Sequence, residues 1–82
     1  MNYQVDLKPR AEKDLRNLQQ RDQQRIIEKL RMASDDLQGD IKRLAQFQPG
    51  YRLRMGDYRV LFEIESDKII VYRILHRREA YR

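Results

Sequence analysis

Eighty-two residues fall below the ~100–200 residues usual for one domain and leave room for a single core, so a one-domain protein spanning residues 1–82 is expected. A mean hydropathy of -0.94, with 38% charged residues, leaves no run near the ~20 apolar residues of a membrane span. The absence of cysteine excludes a disulfide framework and a thiolate metal site.

Tyr3, Val5 and Leu7 alternate with Asn2, Gln4 and Asp6, the period of a half-buried strand. The same opening has an acid where a signal peptide needs a basic start, so a cytoplasmic protein is expected. Pro9 suits the first turn of a helix in which Ala11, Leu15 and Leu18 recur at helical spacing. Asp22 offers an N-cap to a second helix with Ile26, Ile27, Leu30, Ala33 and Leu37 as its apolar stripe. The charged remainder of both helices reads as solvated surface. Asp35 to Gly39 reads as loop, with Ile41 and Leu44 tucked under other elements, and Gln48-Pro49-Gly50 as a turn. The period then changes to two. Tyr51–Met55, Tyr58–Glu65 and Lys68–His76 are predicted strands, joined by a tight Gly56-Asp57 turn of type II′ and a turn at Ser66-Asp67.

Charge is distributed unevenly. Residues 1–41 hold eight basic and eight acidic side chains, whereas residues 42–82 hold ten and five, so the net +5 arises in the second half. Eight of those ten are arginine, whose planar fork matches phosphate oxygens. A polyanionic partner follows, RNA or DNA rather than a membrane. With a two-residue turn at Gly56-Asp57, Arg54 stands opposite Arg59, and Arg52 joins them on the face away from the apolar one. Like charges so placed disfavour a sheet, and an anion over that face would explain them. The register of the last strand stays open. A two-residue loop at Ser66-Asp67 places His76 with the arginines, and a three-residue bulged loop places Arg73 there.

One histidine and no cysteine argue against metal chemistry as the basis of activity, and no metal or cofactor is expected. No glycine-rich phosphate loop or nucleophile elbow is present. Cations with a proton acceptor and a donor would suffice to cleave RNA, where the 2′-hydroxyl attacks the neighbouring phosphate. DNA lacks that hydroxyl.

The run from Tyr51 to Phe62 (YRLRMGDYRVLF) and the ending His76-Arg77-Arg78-Glu79-Ala80-Tyr81 resemble the RelE/ParE toxin superfamily of toxin-antitoxin pairs. The resemblance implies an α+β fold of order β-α-α-β-β-β, with two N-terminal helices packed on one face of a small antiparallel sheet. It implies a cognate acidic antitoxin in a hetero-oligomer and, for the RelE branch, metal-independent cleavage of messenger RNA in the ribosomal A site. By motif position Arg52 and Arg54 match two basic residues that are lysines in the best-known RelE members, Arg59 matches a phosphate-holding arginine, Arg77, with Arg78 as the alternative, a further C-terminal arginine, and Tyr81 a tyrosine that stacks on or orients the nucleotide. His76 resembles a histidine of other branches. Because arginine does not deprotonate at working pH, the resemblance leaves His76 as the proton carrier near neutrality, with Asp40 a looser match to a glutamate base. ParE-like members, which act on DNA gyrase, and a plain basic nucleic-acid-binding module are the alternatives.

Overall fold

A computed structural model describes residues 3–36, 40–44 and 49–80. Strand β1 (Gln4–Leu7) runs into helix α1 (Pro9–Arg16) and helix α2 (Gln20–Asp36); then follow strands β2 (Asp40–Arg43), β3 (Tyr51–Met55), β4 (Tyr58–Glu65) and β5 (Lys68–His76), and a single turn of helix, α3 (Arg77–Ala80). The result is an α+β fold with one sheet, in strand order β1-β5-β4-β3-β2.

The change from β1 to α1 is built on one residue. Lys8 is extended, and its N–H still donates to the Val71 carbonyl at 2.9 Å, while its own carbonyl accepts the first helical bond, from Glu12, at 3.0 Å. Pro9 starts the helix where a missing N–H costs nothing. Helix α1 stops at Arg16 rather than Leu18, and the Gln23 side-chain amide donates to the Leu18 carbonyl at 2.8 Å, which fixes the link to α2. Helix α2 begins at Gln20, so Asp22 is a first-turn acid facing a partial positive charge rather than the N-cap.

Ile26, Leu30 and Ala33 of α2 and Ala11 of α1 meet Leu53, Val60, Phe62, Ile69, Val71 and Ile74 of the sheet in the buried core. Burial of each large side chain contributes roughly 1.5–3 kcal/mol. Ile27, expected in the stripe, is 43% exposed, because its position turns it past the edge of that contact. Leu37 lies outside the described residues.

The three predicted strands have the bounds expected of them, and the register Met55–Tyr58, Arg54–Arg59, Arg52–Leu61 follows from the two-residue turn. Two features of the sheet differ. Residues 40–43, for which no strand was predicted, form β2 against β3. Strand β1 lies parallel to β5 (Val5 with Ile69), which makes the sheet mixed rather than wholly antiparallel. The β1–β5 pairing joins distant stretches of chain and leaves no mark on local periodicity.

The open register of β5 resolves into parts of both alternatives. A two-residue turn sets Ile69 opposite Ile64 and Val71 opposite Phe62; an irregularity between Leu61 and Phe62 then advances β5 by one residue, placing Arg73 opposite Leu61, Ile74 opposite Val60 and His76 opposite Tyr58. The one-residue slip transfers Ile74 and His76 to the helix-facing side. His76 therefore does not share the face of Arg52 and Arg59.

Candidate functional site

The candidate site is the end of the sheet where the β3–β4 turn meets the start of α3. Gly56 takes the left-handed φ of 57° that the tight turn needs. Across the strands, Arg54 is opposite Arg59 and, on its other side, Asp40. Arg54 is exposed and Arg52 half-buried. Arg59 is 4% exposed, and its Nη1 donates to the carbonyls of Gly56 and Tyr58, each at 2.9 Å. The expectation of three arginines presented together to an anion thus meets a difference: Arg59 is buried and braces the turn from within.

Tyr58 and His76 pair on the helix side, their rings edge-to-face with centroids 5.6 Å apart. The Tyr58 hydroxyl donates to Asp22 Oδ2 at 3.2 Å. Burial, together with the hydrogen bond to Asp22 and the charges of Asp22 and Asp57, raises the Tyr58 hydroxyl above its ordinary pKa and keeps it protonated. His76 Nδ1 accepts from the Arg78 N–H at 3.3 Å, which puts the ring's own N–H at Nε2, a hydrogen-bond donor towards a bound molecule. Arg77 donates its N–H to the Asp57 carbonyl at 2.7 Å and holds its guanidinium 4.0 Å from the Asp57 carboxylate, on the surface. Tyr81 lies outside the described residues.

Sequence reasoning missed part of this arrangement. A cleft of about 350 Å³ between α2 and the turn is lined by Arg21, Arg25 and Lys29 as well as by Arg54, Tyr58 and His76. Those helix cations read as ordinary solvated charge. Their signal was the spacing: steps of four put like charges on one stripe. Arg73, which the register sets in one row with Leu61 and Arg52, is engaged by Asp14 of α1, with Nε to Oδ2 at 2.8 Å and Nη2 to Oδ1 at 3.3 Å. Among the described residues no group of three or more histidines and carboxylates gathers as a metal site would require.

The same α+β fold occurs in solved toxin-antitoxin complexes. The toxin-antitoxin complex RelBE2 of Mycobacterium tuberculosis matches with a TM-score of 0.80 at 23% identity, over 93% of this chain and 99% of that one. The RelB-RelE antitoxin-toxin complex of Methanococcus jannaschii matches with a TM-score of 0.77 at 30% identity, over 94% of this chain and 95% of that one. The class is that of small α+β toxins.

Residues 5–81 match the family described as ParE toxin of type II toxin-antitoxin system, parDE. Among curated proteins, Toxin RelE3 of Methanocaldococcus jannaschii is 43% identical over 47 residues, 57% of this chain; the match spans 53% of that relative's length. The chain belongs to the RelE/ParE toxin family of type II toxin-antitoxin systems.

Proposed function

We propose that this toxin acts in the cytoplasm as a ribosome-dependent endoribonuclease, cutting messenger RNA in the A site by attack of the substrate's own 2′-hydroxyl. The observation that carries this reading is the convergence of exposed Arg54 and Arg77 with His76 around one accessible sheet end. The 30% identity to RelE of M. jannaschii over nearly the whole chain supports it.

In the reaction the 2′-oxygen forms a bond to phosphorus, the bond to the 5′-oxygen breaks, and the products are a 2′,3′-cyclic phosphate and a 5′-hydroxyl. Charge builds on the phosphoryl oxygens, where the guanidinium groups of Arg54 and Arg77 stabilise it. The 2′-hydroxyl gives up its proton and the departing 5′-oxygen gains one, with His76 as the carrier between them. Arg52 contacts RNA from the outer face, Arg59 is a positioning residue that holds the turn, and Tyr81 orients the nucleotide. A cognate acidic antitoxin forms a hetero-oligomer with the toxin; the matched M. tuberculosis and M. jannaschii structures are themselves complexes with antitoxins.

Controlled expression in a bacterial host, with RNA ends mapped, tests the reading. Cuts inside translated message are expected. Arg54→Ala, Arg77→Ala and His76→Gln should each lower single-turnover cleavage, the histidine change on the order of 10²–10⁴-fold. A second reading, a gyrase-directed toxin, is favoured by the match to the ParE family description. Accumulated DNA breaks with intact message would establish it and sink the first.

A further inference from the structure

The cleft between α2 and the β3–β4 turn has no part in the chemistry above beyond the residues it shares, yet it is strongly cationic. Arg21, Arg25, Lys29 and Arg54 are all exposed around its about 350 Å³. The three helix cations follow one another at four-residue steps, about 6 Å apart along the axis, which matches the scale of successive phosphates on a strand. Such a row of like charges weakens the helix that bears it, so helix stability does not account for it. Among the described residues, the ion pairs Asp14–Arg73 and Asp57–Arg77 engage none of these four cations. Two carboxylates also line the cleft: Asp22, which accepts from Tyr58, and Asp57, which lies beside Arg77. Cations still outnumber acids there by four to two.

We propose that this cleft is a second RNA-binding surface, a groove that holds the phosphodiester backbone of a single strand, with Arg54 shared between it and the arginine-bearing face. The inference rests on the reading of the chain as an RNA-acting toxin for the identity of the anion. The edge-to-face pair of Tyr58 and His76 offers an aromatic wall on which a base can stack. An amphipathic peptide fits less well, since the apolar lining is confined to Ile26 and Met55, both buried. The more apolar groove lies elsewhere, among Val5, Leu15, Ile27 and Leu30.

The test uses the full chain and fluorescence anisotropy with a short labelled single-stranded oligoribonucleotide, measured across salt concentrations. The triple variant Arg21→Ala/Arg25→Ala/Lys29→Ala is compared with Lys13→Ala/Arg16→Ala/Lys68→Ala, which removes equal charge from exposed positions outside the cleft. The cleft variant should bind at least about 10-fold more weakly than the control, and its salt slope should flatten by about 2, near 0.7 for each phosphate no longer neutralised. Equal losses in both variants would overturn the proposal. Competition by polyglutamate as effective, charge for charge, as RNA would also overturn it, in favour of an acidic protein ligand. Should the triple variant fail to fold, amide shifts of the unaltered protein on RNA addition decide: movement at residues 21–29, 58 and 76 supports the groove, and movement confined to residues 40–44 and 51–54 rejects it. Cleavage of ribosome-bound message is scored separately. A toxin that cuts nothing but loses RNA through the cleft variant keeps the groove and loses the nuclease reading; one that cuts while both variants bind alike does the reverse.

Discussion

Ser66 has a φ of 55°, the left-handed region that L residues avoid at a cost of roughly 1–2 kcal/mol. Glycine removes that cost and returns part of the gain as chain entropy, so Ser66→Gly should stabilise the toxin by up to about 1 kcal/mol. Its denaturation midpoint should rise at constant slope. At Gly56 the sign reverses: an added Cβ meets nothing within 4 Å, but φ is 57°, so Gly56→Ala should cost about 1 kcal/mol through the backbone alone. Asp14 carries more. Burial alone would raise its carboxyl, but the hydrogen bonds from Arg73 and the Ile74 N–H, with the charges of Arg73 and Arg10, outweigh burial and hold it below the ordinary value of 3.8. A lowered folded pKa means stability that is complete above the carboxylate range and is lost as pH falls below about 4. Asp14→Asn should cost about 1.5–3 kcal/mol at neutral pH, and unfolding titrations should show less acid sensitivity in the variant than in the parent.

Between elements, the Tyr58–Asp22 hydrogen bond ties β4 to the first turn of α2. Tyr58→Phe should lose about 0.5–1.5 kcal/mol. Because the folded pKa of Tyr58 is raised, its contribution is complete below the ordinary phenol value and is lost as pH climbs through the higher folded one. The Phe variant should therefore lack that share of alkaline destabilisation in denaturant titrations above about pH 10. Arg59 and Arg54 face each other in register yet should behave oppositely. Arg59→Ala removes a buried side chain bonded to two turn carbonyls and should cost about 2 kcal/mol or more, whereas Arg54→Ala, exposed, should stay within about 0.5 kcal/mol of the parent in stability while losing RNA cleavage. Strand β3 was legible because apolar and polar residues alternate along it, and β4 and β5 because each is a run rich in β-branched and aromatic residues next to a turn signal at Gly56-Asp57 or Ser66-Asp67. Helices α1 and α2 were legible for the corresponding reason at helical period. The site was legible in composition but not in arrangement: the arginines declared a cationic surface, while the side on which His76 lies depends on a bulge that sequence periodicity does not reveal, and Arg59 is held in by the turn carbonyls of Gly56 and Tyr58. The α2 cations escaped notice because an exposed charged face is the common outcome for any surface helix.

Over the whole molecule, the surplus of positive charge in residues 42–82 is joined through Arg54 to the helix cations of the first half. Binding to RNA or ribosomes should weaken steeply as salt rises, with a linear log–log slope that reports the number of phosphates neutralised. An affinity independent of salt would show that these charges serve solubility alone. The parallel pairing of β1 with β5 bears on another matter, the order in which the protein is made. The first strand emerges from the ribosome early but finds its neighbour only when Ile69 to Val71 follow, after both long helices and three other strands. The Lys8 N–H that launches α1 waits for the same segment. Because such long-range pairings close last, the outer half of the sheet and the start of α1 form together, and only once β5 has left the exit tunnel.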